Sequence, residues 1–526
     1  MRNFVVVIFL VVVLFGCREK EPERPNILFI MSDDHAYQAL SAYGETISKF
    51  APTPQIDRIA REGMRFDRCL VTNSICGPSR ATILTGKYSH QNGFTGNGDS
   101  FDGSQQTFPK LMQKIGYQTA MIGKWHLATR PTGFDTYDIL PGQGKYYNPE
   151  FINEEGKYTV EGYCTELITE KSIAWMEKAK ESDRPFMLMM QHKAPHGPWT
   201  PGPNEVGMYA GVEFPEPATL LEDYSNRGTA LQEQQMTIRD QMSADRYLKM
   251  LPQRFPGYNG EPSRYGWTTD FSAEQAEAWN AVYDPIIRQF YSEKPDGDDL
   301  VRFKYQRYMM DYLGCVAAVD KSVGKVLDYL KSSGLDQNTL VVYTSDQGFY
   351  LGEHGWYDKR FMFEESLRTP LLMMWPAQVE PGSVCGELVS NLDFASTFLE
   401  AAGTEIPEDI QGQSLIPILK GTVPDDWRTA HYYHYFMYPG THNVKRHYGV
   451  TTDRYKLIHY YYDIDEWELY DLQEDPMELN NVYAEPSYSD VRDRLHEQLE
   501  ELRSHYGDTD SVTRSFLPGE VPQPGG

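Results

Sequence analysis

Basic residues are scarce in this chain. Its 49 Lys and Arg are outnumbered by 75 Asp and Glu, for a net charge of −26. Phosphate backbones need a positive footprint, so this balance excludes a nucleic-acid partner. Cysteine is sparse too, with 6 in 526 residues. No Cys-x-x-Cys or Cys/His spacing occurs, which removes a structural zinc site. No internal repeat or low-complexity block occurs, which removes a solenoid. The longest apolar run, Phe4 to Phe15, falls short of the roughly 20 residues that a spanning helix needs.

What is present begins with an export signal. Arg2 precedes the Phe4–Phe15 run, which reads as the hydrophobic region of a secretion signal over residues 1–16. The run ends Leu14-Phe15-Gly16-Cys17, which resembles a bacterial lipobox. Cleavage before Cys17 and lipidation of its thiol would leave residues 17–24 as a charged tether. The expectation is an exported protein, periplasmic or at the cell surface, that meets the membrane only through this lipid. Apart from Cys17 and Cys76, the thiols are Cys69, Cys164, Cys315 and Cys385, and four thiols allow three disulfide pairings.

Asn26-Ile-Leu-Phe-Ile-Met31 is a continuous apolar run between Pro25 and Ser32-Asp33-Asp34. Such a run reads as a strand buried on both faces. Similar runs lie at 119–122, 186–190, 340–344 and 371–375, with helical patterns between them, clearest over 303–330. The alternation predicts an α/β fold, a mostly parallel sheet flanked by helices, over residues 25–422. Residues 201–299, rich in Pro, Gly, Tyr and acids, break the pattern. They read as a long insertion of the kind that forms rims and lids, with a helix near 273–290. From 423 to 510 the pattern becomes that of a smaller antiparallel sheet with one helix: strands at 447–451, 455–462 and 466–471, then a helix over 490–506. Residues 511–526 read as a flexible tail.

Charged residues cluster just beyond the predicted strands, where open α/β sheets bind ligands. Asp33 and Asp34 follow the first strand; Asp346 and Gln347 follow a late one. Adjacent carboxylates repel unless a cation neutralises them. Three carboxylates with an amide oxygen suit a hard cation, Ca²⁺ or Mg²⁺. Lys124 and His126 follow another strand and alternate, so an extended chain would point them the same way. His192 and His196 follow a fourth. In Cys76-Gly77-Pro78-Ser79-Arg80, ending Leu84-Thr85-Gly86, Pro78 suits a first helical turn and Gly86 a helix stop. Cys76 then sits at the positive end of the helix, with Arg80 one turn inside on the same face.

That run resembles the signature of the sulfatase family, in which the Cys is oxidised to formylglycine. The resemblance covers roughly Pro25 to Tyr506. It takes in Asp33-Asp34, Gly123-Lys124-Trp125-His126, the 348–360 loop with Lys359, and the phrase Leu469-Tyr470-Asp471-Leu472 followed by Glu478-Leu479-Asn480. It implies an alkaline-phosphatase-like fold. It implies Ca²⁺, with Mg²⁺ as the alternative, on Asp33, Asp34, Asp346, Gln347 and the converted Cys76. A formylglycine-generating enzyme is then a maturation partner.

The resemblance also implies roles. One hydroxyl of the hydrated aldehyde attacks sulfur. Arg80, Lys124 and Lys359 neutralise the sulfate. His196, with Lys359, protonates the departing sugar oxygen, and His126 takes the proton that lets the second hydroxyl expel sulfate. The expected substrate is a sulfated glycan fragment, from glycosaminoglycans or algal polysaccharides. Two rivals remain: a phosphomonoester or phosphonate hydrolase of the same superfamily, and a non-catalytic glycan-binding lipoprotein. The basic stretch from His442 to Gly449 offers His442, Arg446 and His447 as contacts to the sugar.

Overall fold

The first apolar run lies at the centre of the molecule. β1 (Asn26–Asp33) sends Ile27, Phe29 and Met31 into one apolar layer and Leu28 and Ile30 into the other, all fully buried. A strand covered on both faces has no polar side, which is why its sequence does not alternate. The computed structural model describes residues 24–517. The signal, Cys17, most of the tether and the last residues of the tail lie outside the described residues.

Along the chain follow β2 (Met64–Leu70), β3 (Gln118–Lys124), β4 (Thr136–Leu140), β5 (Glu150–Ile152), β6 (Lys157–Thr159), β7 (Phe186–Pro195) and β8 (Thr339–Ser345). Then come β9 (Tyr350–Leu351), β10 (Tyr357–Asp358), β11 (Arg368–Met374), β12 (Ser383–Cys385) and β13 (Val389–Ser390). The main sheet runs β12-β2-β11-β8-β1-β7-β3-β4-β5-β6, with β13 also on β2. Its centre, β8-β1-β7-β3-β4, is parallel throughout. β11 pairs antiparallel with both β8 and β2, and its register slips between Thr369 and Leu371. Pro370 sits at the slip, having no N–H to give the ladder.

The helix expected over 303–330 spans Gly297–Ser333 and packs Tyr305, Tyr308, Tyr312, Val316, Val319 and Val323 into the Leu28 layer. The insertion holds a helix, Ala273–Glu293, started by a Ser272/Gln275 capping box. The rest of the insertion is mostly turns, pinned to the long helix by the buried Lys249–Asp311 pair at 2.7 Å.

A separate sheet, β14 (Ala430–Tyr435), β15 (His447–Thr452), β16 (Tyr455–Tyr460) and β17 (Glu466–Asp471), is antiparallel in chain order, with the helix Ser489–Tyr506 against it. The first residues of the expected 511–526 tail are helical, and the segment leading into it is packed. Asp508 is buried and accepts hydrogen bonds from Tyr432 at 2.6 Å and His434 at 2.5 Å. A short helix, Asp510–Ser515, follows, and Phe516 packs edge-on against Phe436. Cys69, Cys76, Cys164, Cys315 and Cys385 are buried and unpaired, so none of the three pairings left open forms. Among the described residues no helix is long and apolar enough to cross a membrane.

Candidate active site

Cys76 opens the helix Cys76–Thr85, every residue of which is buried. Gly86 ends it in the left-handed conformation (φ 65°), donating its N–H to the Thr82 carbonyl. Burial pushes the Cys76 thiol up to about 12, only partly opposed by Lys359. The encoded side chain is therefore a neutral thiol near pH 7 and not a thiolate nucleophile.

Three carboxylates face this helix start. Asp33, Asp34 and Asp346 offer oxygens within 4.8 Å of one another, and Asp33 with Cys76 and His196 forms a second such group. Burial, with like charges beside it, lifts Asp34 to about 7 and Asp346 to about 6. Burial also pushes Asp33 upward, but Lys124, His196 and Arg80 hold it well below the carboxylate range. Asp33 Oδ1 and Gln347 Oε1 are buried with no hydrogen-bond partner among the described residues. Orphaned oxygens of this kind, beside mutually repelling acids, fit a divalent cation.

Arg80 takes a different place from the one expected. Its Nε and Nη2 donate to Asp346 Oδ2 at 3.1 and 2.8 Å, and Nη1 donates to Gln191 Oε1 at 2.6 Å and the Lys124 carbonyl at 2.5 Å. Its donors thus hold a carboxylate of the acidic cluster rather than standing free for sulfate. Gln191 was not singled out in the sequence, because a lone Gln in an apolar strand carries no motif.

The lysines close the cluster. Lys124 meets Asp33 and donates to Gln143 Oε1 at 2.5 Å. Lys359, on the loop after β9 and β10, meets Asp34 Oδ1 at 2.5 Å. Burial opposes its charge, yet Asp34 and its neighbours hold it well above the ordinary lysine value. His126 does not continue the strand. It has φ 57°, beyond the end of β3, and its Nε2 accepts from Gln143 Nε2 at 3.1 Å. Gln143, unseen in the sequence, thus joins Lys124 to His126.

The paired histidines divide, His192 lying within β7 and His196 just beyond it. His192 is buried against Ser322 of the long helix, 3.1 Å from its hydroxyl. His196 reaches the site, with Nε2 3.8 Å from Asp34 Oδ2 and Nδ1 bonded to the Gly197 carbonyl at 2.6 Å. Burial, then Lys124, holds His196 well below the ordinary histidine value.

Of the three proposed sugar contacts, only His442 lies by the site. Its Nε2 is 2.9 Å from Asp358, which also pairs with Arg360, and Asp358 directly precedes Lys359. It borders a cavity of about 520 Å³ with Tyr247, Arg264 and Tyr357. Arg446 is buried in an ion pair with Asp463, donating at 2.6 and 2.8 Å. His447 is fully buried among Phe361, Tyr433, Tyr435 and Tyr460. The sugar-contact expectation is therefore corrected for both. A basic stretch entering a strand alternates inward, and nothing in the sequence displayed Asp463 as the partner.

A buried Cys at a helix start, a carboxylate cluster that could hold a cation, one lysine at a parallel strand end and another on the loop after β10 fit a hydrolase of anionic esters, on an alkaline-phosphatase-like fold. The chain belongs to the sulfatase family, whose model matches residues 25–404; the model described as N-sulphoglucosamine sulphohydrolase, C-terminal, matches 352–505. It is 48% identical over 499 residues to the N-acetylglucosamine-6-O-sulfatase of Bacteroides thetaiotaomicron, covering 94% of this chain and 88% of that protein. The N-acetylglucosamine-6-sulfatase of Capra hircus is 25% identical over 557 residues, covering 95% and 87%. A solved sulfatase in complex with its substrate D-glucosamine-2-N,6-O-disulfate is 47% identical, with a TM-score of 0.89, over 93% of this chain and 99% of that one. The protein is a sulfuric ester hydrolase acting on sulfated sugars.

Proposed function

We propose that this protein removes the 6-O-sulfate from N-acetylglucosamine-type residues of sulfated saccharides. The observation that carries the reading is the 48% identity over 499 residues to an enzyme of that specificity. The convergence of Cys76, Lys124, His196 and Lys359 on one carboxylate cluster supports it.

In this reading Asp33, Asp34, Asp346 and Gln347 hold Ca²⁺, with Mg²⁺ as the alternative. The cation supplies positive charge where sulfate oxygens gather. Cys76, converted to formylglycine by a maturation enzyme, supplies a nucleophile that a buried neutral thiol does not. Lys124 and Lys359 flank the sulfate and balance charge as the S–O bond breaks. Arg80 fixes Asp346 and is a positioning residue. His196 lies on the side of Asp34 and donates a proton to the departing sugar oxygen. Burial, then the charges of Lys124 and Lys359, lower His196, and an anionic ester would offset the part that comes from those charges. His126, oriented by Gln143, takes a proton during sulfate release. Export as a lipoprotein through Cys17 would place this chemistry at the cell envelope.

The test is sulfate release from N-acetylglucosamine 6-sulfate, from positional isomers and from a matched phosphate monoester, with native-host protein whose Cys76 peptide has been weighed by mass spectrometry. Release from the 6-sulfate that is lost in Cys76→Ala supports the reading. Faster turnover of the phosphate ester, or full activity with an unconverted Cys76, rejects it.

A further inference from the structure

A cavity of about 330 Å³ lies beside the catalytic residues. Three links fix its place. Tyr146, in its wall, donates its hydroxyl to the His196 carbonyl at 2.7 Å. Lys193, also in its wall, is on β7 three residues before His196. The loop that carries Gln143 between Lys124 and His126 continues into the cavity as Lys145 and Tyr146.

Its charge is opposite to that of the chain. Lys145, Lys193 and Arg264 line it against one carboxylate, Asp270, and Lys145 already pairs with Asp270 at 3.0 Å. Lys193 is only 4% exposed, yet its ammonium has no hydrogen bond or ion pair among the described residues. It rests 4.7 Å from the centroid of the Tyr146 ring. Arg264, which is exposed, meets no carboxylate among the described residues; its guanidinium lies 5.0 Å from the Tyr265 ring centroid and donates to the Tyr265 hydroxyl. An ammonium that faces the cavity from a largely buried side chain, without a counter-ion, is unfavourable, and burial, then the charge of Lys124, draws Lys193 down to about 8. An anion entering the cavity removes that penalty. Tyr265 and Trp267 stand stacked in the same wall, an apolar surface for a sugar face.

We propose that this cavity receives a second anionic group of the saccharide, a sulfamate on the same sugar or a carboxylate on its uronic-acid neighbour, with Lys193 and Arg264 as its cationic contacts. The proposal rests on the reading of the protein as a saccharide sulfatase. Arg264, Tyr265 and Trp267 belong to the 201–299 insertion, so the insertion sets which charged sugar is preferred while the sheet supplies the reaction.

The test compares wild type with Lys193→Met on N-acetylglucosamine 6-sulfate, on glucosamine 2-N,6-O-disulfate, and on a 6-sulfated disaccharide bearing a uronic acid. For one doubly charged substrate, kcat/KM relative to the singly charged one should fall by about tenfold or more, the scale of one charge-assisted contact. The loss should lie in KM, Lys193→Arg should restore most of it, and Arg264→Gln should move the ratio the same way. The arm that falls identifies the anion. Ratios unchanged in both arms, or all three substrates falling together, overturn the proposal. Failure of the sulfatase reading is separated by calorimetric titration of glucosamine 2-N-sulfate and methyl glucuronide into Cys76→Ala protein with and without Lys193→Met. Saturable binding of either probe that Lys193→Met removes upholds the cavity site even without turnover. Equal binding, or none, overturns it.

Discussion

Gly123→Ala is a substitution that touches no catalytic side chain and yet should disable the enzyme. Gly123 has φ +108°, and a Cβ built on it would sit 1.9 Å from the carbonyl oxygen of Gln191 on β7. The position pairs with Gln191 at the centre of the sheet, so β3 and β7 must separate to admit a methyl group. The backbone conformation costs a residue with a Cβ about 1–2 kcal/mol, and overpacking adds about 1–3, for a total near 2–5 kcal/mol. Both acceptors of Arg80 Nη1, the Lys124 carbonyl and Gln191 Oε1, flank this point. A displacement of about 1 Å there would misplace Arg80, Asp346 and Lys124 together, and errors of that size cost about a hundredfold in rate. Gly98→Ala is the control, since nothing lies within 4 Å of its Cβ. Thermal unfolding and sulfate release per folded molecule should both fall in Gly123→Ala and neither in Gly98→Ala. Equal behaviour of the two variants would refute the close-approach argument.

Asp346→Ala should lose bound divalent metal by elemental analysis and lose sulfate release with it, since Arg80 then lacks the carboxylate it holds. Arg446→Ala should unfold more easily, toward the low end of the roughly 3–5 kcal/mol for breaking a buried pair, because Asp463 keeps some water contact. Its activity on aryl sulfate and on saccharide should change in parallel, whereas His442→Ala should raise KM for the saccharide more than for the aryl ester. His447 is held neutral by burial, its value lowered to about 3 from 6.5. Between those values the unfolded chain binds the proton and the folded chain does not, so stability falls as pH drops through that window, by about 1.4 kcal/mol per unit. His447→Phe should flatten the stability–pH slope between pH 6 and 4; an unchanged slope would reject the buried-histidine account.

The residues that the structure brings together at the candidate site were legible because they sit where strand logic and motif coincide. Asp33, Lys124 and His196 all follow apolar runs, and Cys76 was marked by Pro78 and Gly86. The supporting shell was not legible. Gln143 and Gln191 act through amides whose partners lie far along the chain, and no local spacing displays such a partner. Arg80 was found but assigned to the sulfate, because its closeness to Asp346 is a tertiary fact. Arg446 and His447 misled for the opposite reason: charge in the sequence reads as charge available to a sugar, and the fold buries it inside the protein. The antiparallel sense of β11 was invisible because an apolar run has no direction.

The helix that begins at Cys76 has no residue open to solvent. An enzyme that alters this thiol cannot reach it once the sheet, the helix and the C-terminal strands have closed around it. In the proposed reading, conversion of Cys76 would compete in time with folding, and the fraction of active molecules would be set by which process is faster. A substitution that speeds closure of the core would then lower specific activity without touching the site.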